Sequence, residues 1–247
     1  MNDLRDRLAL VTGASAGIGA ATARALAAAG AEVVLAARRA TELERVAAEC
    51  PGARTLVLDV RDAAAVERAA ADLPLDIVLA NAGLAYGVEP LQAGDAQEWS
   101  AVIDTNVKGV LHTLRAVLPG MIERGHGDVV TLGSVAGRQV YAGGAVYCAT
   151  KFAVKALYET MRLELCGKNL RLITVDPAMV ETDFSRVRFR GDEACADAVY
   201  KGMTPLTPED VADAVLYAVT RPPHVNVGEL VLWPTAQAST SLVHRSE

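Results

Sequence analysis

Seven short runs of β-rich, mostly apolar residues recur along the chain, separated by alanine-rich stretches with helical spacing. The runs are LALVT (8–12), EVVLAA (32–37), RTLVLD (54–59), DIVLAN (76–81), DVVTLG (128–133), LRLITVD (170–176) and ELVLWP (229–234). They read as continuous hydrophobic segments rather than alternating ones, as burial on both faces of a parallel sheet requires. Helical patterns fall at roughly 17–29, 40–49, 62–72, 95–123, 145–167 and 207–220. Strand and helix in alternation predict a single α/β domain over residues 1–247, with a doubly wound, mostly parallel seven-stranded sheet and helices on both faces. Asp62 and Thr207 stand as caps before helical runs, and Pro208 occupies a first helical position. One long irregular stretch, about 177–206, carries Pro177, Gly191, Gly202 and Pro205. A loop of that length in a compact domain is usually functional, and a substrate lid over a pocket is the expectation.

The chain of 247 residues is 51% hydrophobic with a net charge of -6, enough for one large core and without a disorder signature. No apolar run approaches the length of a membrane span, and the start MNDLRDRLAL lacks the apolar region of a signal peptide. The expectation is a soluble cytoplasmic protein with no membrane partner. Cys50, Cys148, Cys166 and Cys195 form no C-x-x-C pair and have no His partners at ligand spacing, so neither a metal site nor a disulfide framework is expected, only reduced and mostly packed thiols. No basic patch is interleaved with aromatics, which argues against nucleic acid. Arg186, Arg188 and Arg190 make the main local basic cluster.

The turn after the first strand reads TGASAGIG, Thr12 to Gly19. Leaving a strand for a helix normally needs one glycine; three imply that something approaches the backbone closely. In parallel sheets, ligands bind beyond the carboxyl ends of the strands, where a helix start offers free N–H groups and partial positive charge. Gly13 is expected to allow the tight turn, Gly17 to let a diphosphate near the backbone, and Gly19 to let the helix pack on the strand.

The spacing G-x-x-x-G-x-G resembles the glycine turn of the short-chain dehydrogenase/reductase family. Further elements agree in order: Asp59-Val60, Asn81-Ala82-Gly83 after the fourth strand, and Tyr147-x-x-x-Lys151. The resemblance covers nearly all of Leu8 to Trp233. It implies a Rossmann-type fold and a dinucleotide held by Gly13, Ser15, Ala16, Gly17, Ile18 and Gly19, with Asp59 and Val60 at the adenine and Asn81, Ala82 and Gly83 further along. Asp176-Pro177-Ala178-Met179-Val180-Glu181-Thr182 resembles the family's P-G-x-x-x-T element, which places Pro177, Val180 and Thr182 at the nicotinamide end. Ala178 replaces the usual glycine there, and Ala80 stands where a second asparagine often precedes Asn81. At the end of the second strand an NAD enzyme carries a carboxylate for the ribose hydroxyl. Here Ala37 is followed by Arg38-Arg39, which suits a 2′-phosphate and favours NADP.

Residues four apart share a helix face, so Tyr147 and Lys151 converge on one spot. A tyrosine with an ordinary pKa of about 10 needs ~4 kcal/mol of differential phenolate stabilisation to act as a base near neutrality, which Lys151 and the positive nicotinamide ring can largely supply. Tyr147 is then the general acid/base, and Ser134 the residue that polarises the carbonyl. The resemblance assigns Asn106, in the middle of a helical pattern, a water-holding role that links Lys151 to solvent.

The segment FSRVRFRGDE, supported by VAGRQVYAGGAVYCATK, resembles the branch that oxidises 3-hydroxy acids and serine-type β-hydroxy amino acids with NADP. Neighbouring branches that reduce aldehydes, ketones or 3-oxoacyl thioesters stay open, as does a non-catalytic NADP-binding sensor. If FSRVRFRGD is extended, its three arginines share one side, and the central Arg188 is the candidate for a substrate carboxylate. By resemblance the chain is a homo-oligomer, with a tetramer favoured.

Overall fold

The computed structural model describes residues 3–70 and 72–246. Residue 71, inside the helix expected at 62–72, lies outside the described residues. Seven strands, β1 (Leu8–Thr12), β2 (Glu32–Ala37), β3 (Arg54–Val57), β4 (Ile77–Ala80), β5 (Gly127–Leu132), β6 (Leu170–Pro177) and β7 (Glu229–Leu232), form one sheet in the order β3-β2-β1-β4-β5-β6-β7. Every pairing is parallel. The order reverses between β1 and β4, so a crevice opens beyond their carboxyl ends.

The helices are α1 (Gly17–Ala28), α2 (Ala40–Ala48), α3 (Ala63–Ala70), α4 (Ala96–Ile103), α5 (Gly109–Arg124), α6 (Ala145–Glu164), α7 (Phe184–Arg188), α8 (Glu193–Ala198) and α9 (Pro208–Val219). They cover both faces because successive strand residues point to opposite sides. Ala9, Val11, Val33, Leu35, Ile77 and Leu79 pack with Leu26 of α1, Leu43 of α2 and Val215 of α9. Leu8, Leu10, Val34, Ala36 and Val78 pack on the other face with Val66, Leu114 and Val154 of α3, α5 and α6. Each such Leu, Val or Ile contributes about 1.5–3 kcal/mol by leaving water. The expected start of α9 is present as a capping box: Thr207 Oγ1 accepts from the Asp210 N–H, and the Asp210 carboxylate accepts from the Thr207 N–H.

Four expectations are corrected. Burial on both faces fails for the edge strands: Val57 of β3 is 66% exposed and β7 is only partly covered, because an edge has a neighbour on one side alone. The helical pattern 95–123 is broken by a π turn, Asp104–Lys108, between α4 and α5. Residues 177–206 are not one irregular stretch, since they contain α7 and α8. Of the thiols only Cys50 and Cys148 are packed; Cys166 and Cys195 are exposed.

Candidate active site

A cavity of about 650 Å³ lies over the carboxyl ends of the central strands. Every residue expected at the site lines it except Gly19 and Asn106. Gly19 instead packs α1 onto the turn, since a Cβ there would stand 2.5 Å from the Gly13 carbonyl oxygen. Gly13, at φ +68°, leaves room for Asn81, whose Nδ2 would lie 2.7 Å from an added Cβ. Thr12 ties the same two segments together: its Oγ1 accepts from the N–H groups of Asn81 and Ala82 at 3.0 and 3.1 Å and donates to the Leu79 carbonyl at 3.2 Å. Sequence reasoning had assigned Thr12 no part.

The start of α1 lies at the cavity, which Ala16, Gly17 and Ile18 line. Ala16 caps it with no side-chain hydrogen bond, and its first turn holds no acidic residue, so its N–H groups have no side-chain partner there. Arg39 donates to Ser15 Oγ at 3.1 Å beside it. Neither Arg38 nor Arg39 pairs with a carboxylate among the described residues. Asp59 is engaged by Arg61 at 2.6 Å, which holds its carboxyl below the usual range.

At the other end of the cavity, β5 delivers Ser134 and α6 delivers Tyr147 and Lys151. The buried Ser134 hydroxyl accepts from the Ala136 N–H at 3.1 Å and donates to the Pro177 carbonyl at 3.3 Å. Lys151 Nζ donates to the Leu132 carbonyl at 2.8 Å and lies 5.7 Å from the Tyr147 ring centroid. Burial pushes the Lys151 ammonium down to about 8, with the Asp176 charge opposing. Burial also pushes the Tyr147 phenol above its ordinary value, while Arg188 and Ser134 pull it down. The expected lowering of the tyrosine is therefore not present in the chain alone, because desolvation outweighs the neighbouring charge.

Asn106 lies on the π turn, 2% exposed. Its amide accepts from the Leu84 N–H and donates to the Leu84 carbonyl, both at 2.8 Å, and donates to Thr150 Oγ1 at 3.1 Å. It thus fastens the loop after β4 to α6, and its side chain is spent on these partners rather than on Lys151. π turns of this kind occur often at functional sites.

The segment 184–190 is not extended. Thr182 Oγ1 accepts from the Phe184 N–H at 3.2 Å, and the chain turns into α7. Residues two apart then face opposite ways, so the three arginines do not share one side. Arg186 pairs with Asp183, and Arg190 with Glu89 and Glu98. Arg188 alone turns into the cavity, because Phe184 and Arg188, four apart, share the helical face that meets Tyr147. Tyr141, Phe184, Tyr200 and Gln237 also line the cavity and were missed. Tyr141 and Gln237 come from loops whose sequence carries no periodicity to single them out.

Residues 7–193 match the family model described as short chain dehydrogenase. The chain belongs to that family. An NADP-dependent 3-hydroxy acid dehydrogenase of Shigella flexneri is 42% identical over 246 residues, covering 96% of this chain and 99% of that one. An uncharacterized oxidoreductase of Mycobacterium tuberculosis is 49% identical over 238 residues, 96% of this chain and 94% of that one. Among solved structures, the closed form of a serine dehydrogenase complexed with NADP+ superposes with a TM-score of 0.92 at 41% identity, covering 97% of this chain and 100% of that one. This short chain dehydrogenase therefore shares nearly its whole length with these relatives. No described helix is long and apolar enough to cross a membrane.

Proposed function

We propose that the chain is an NADP-dependent oxidoreductase that interconverts an alcohol and a carbonyl by hydride transfer, acting on a 3-hydroxy acid or a serine-type β-hydroxy amino acid. The observation that carries the substrate class is Arg188, a cation in the cavity beside Tyr147 with no carboxylate partner among the described residues. The names of the Shigella relative and of the serine dehydrogenase support the same reading. The dinucleotide fits the other end. The uncapped start of α1 suits a diphosphate, and two arginines without acidic partners, following Ala37, suit a 2′-phosphate.

NADP, when bound, accepts the hydride in oxidation and returns it from NADPH in reduction. The chain's own residues do the rest. Ser134 holds the substrate oxygen. Tyr147 takes the hydroxyl proton as the carbonyl forms and gives it back in the reverse direction. Lys151, four residues on, holds positive charge near the phenolate, and Arg188 holds the carboxylate so that the alcohol carbon faces the nicotinamide end marked by Pro177, Val180 and Thr182. Asn106 enters by fixing the loop after β4 against α6. We further place the chain in the cytoplasm as a one-domain homotetramer. Phe152 and Leu163 of α6, exposed by 42% and 81%, support a subunit contact on that helix.

An NADPH absorbance screen over 3-hydroxy acids, β-hydroxy amino acids, sugars, steroids and simple aldehydes tests the function. Turnover confined to uncharged substrates refutes the substrate class, and no turnover at all favours a sensor. Arg188→Gln is expected to raise KM for carboxylate substrates about ten- to a hundredfold more than for an uncharged alcohol, the value of a charge-assisted contact. Equal changes for both substrates would refute the carboxylate contact.

A further inference from the structure

Tyr147 is flanked by two cations from different elements. Lys151, on its own helix, has Nζ 5.7 Å from the ring centroid; Arg188, on α7, has its guanidinium carbon 5.0 Å from it. Both cations thus lie at comparable distance from the ring, the arginine slightly the closer to its centroid. Arg188 is held there: its guanidinium carbon is 5.2 Å from the Phe184 ring centroid and 5.8 Å from that of Tyr141, and it donates to the Tyr141 hydroxyl at 2.7 Å. Its Nε is buried without a partner. Three rings around it and the hydrogen bond to Tyr141 hold the guanidinium in place.

We propose that Arg188 is a second catalytic cation for Tyr147, stabilising its phenolate in addition to holding the substrate carboxylate. The proposal rests on the assignment of Tyr147 as the acid/base. The groups that face the phenol are few: Lys151 and Cys148 on α6, Ser134 after β5, Tyr141 in the loop before α6, and Arg188. Of these only Lys151 and Arg188 carry positive charge, and they differ in permanence. Burial makes Lys151 titrate near pH 8, so above that pH it is increasingly neutral, whereas a guanidinium stays charged throughout. Arg188 is then the constant cation across the range in which alcohols are oxidised most readily. A substrate carboxylate docked on Arg188 offsets part of that charge and returns the phenol toward its protonated form, which makes the tyrosine's proton affinity depend on what occupies the lid.

The test is the pH profile of kcat/KM for NADP-dependent oxidation of a neutral secondary alcohol, in the parent, Arg188→Gln and Arg188→Lys, with NADP affinity measured alongside. A unit charge about 5–7 Å away, at an effective dielectric between about 20 and 80, moves a neighbouring pKa by roughly half to two pH units. The acid limb is expected to rise by that much in Arg188→Gln and to stay near the parent's in Arg188→Lys. An unmoved limb, or equal movement in the two variants, overturns the proposal. Should Arg188→Gln lose NADP binding, the parent alone decides: the acid limb of kcat lies higher for a 3-hydroxy acid than for the neutral alcohol, and coincident limbs overturn the proposal. The underlying assignment fails separately, through turnover retained in Tyr147→Phe. With that variant inactive, an unmoved Arg188→Gln limb removes the second-cation role alone.

Discussion

Replacing Lys151 with methionine should make the cofactor-free chain more stable near neutral pH while abolishing turnover. Burial lowers the ammonium from its ordinary 10.5 to about 8. That depression corresponds to about 3 kcal/mol of unfavourable desolvation carried by the folded state. Below pH 8 folded and unfolded chains both hold the proton, so the parent bears the full penalty. Between about 8 and 10.5 the unfolded chain binds more protons than the folded one, so the parent gains stability as pH rises and the penalty is gone by the upper limit. Methionine keeps the volume and removes the charge, but it strips the Leu132 carbonyl of a donor now 2.8 Å away, a loss of about 1 kcal/mol. The net expectation is a gain of about 2 kcal/mol near neutrality, turning to a loss of about 1 kcal/mol in strong alkali. Urea unfolding followed by circular dichroism, without cofactor, at neutral pH and near pH 10.5 reads both values. A variant less stable than the parent at neutral pH, or a difference that does not change with pH, refutes the reasoning.

Two further outcomes follow from the site. Tyr147→Phe keeps the ring against Phe184 and removes the hydroxyl, so turnover should collapse while NADP affinity survives; parallel kinetics and fluorescence titration show whether the two separate. Ala37→Asp combined with Arg38→Gln should shift preference toward NAD by about ten- to a hundredfold, the value of one charge-assisted phosphate contact, and a parent that already prefers NAD contradicts the cofactor reading.

The interior of the fold was legible because β1, β2, β4, β5 and β6 are buried and their apolar runs carry that burial directly. The edges were less so. The strand expected at 54–59 stops at Val57, and that at 229–234 stops at Leu232. Apart from Gly19 and Asn106, the motif residues line one cavity, most of them standing just past a strand's carboxyl end or in the first turns of a helix, where topology decides position. Arg188 was singled out on an argument that does not hold. Alternation over five residues is too short to distinguish strand from helix, and what brings Arg188 to Tyr147 is the four-residue spacing from Phe184. The π turn under Asn106 showed only as a run of weak helix formers, Asp104-Thr105-Asn106-Val107, which does not by itself separate a π turn from an ordinary helical turn. Tyr141 could not be foreseen either, because its partner lies 47 positions away.

The segment that leads into α7 also approaches the glycine turn: a Cβ at Gly17 would come within 3.3 Å of the Thr182 methyl. Six residues later the same piece of chain presents Arg188 to Tyr147. With Thr182 at the dinucleotide and Arg188 at the acid, as proposed above, one short run of backbone is handled by both ligands. Under that reading Thr182 and Arg188 cannot be displaced independently, so a bulkier side chain at Gly17, which would press on Thr182, is expected to alter the affinity for the acid as well as for the nucleotide.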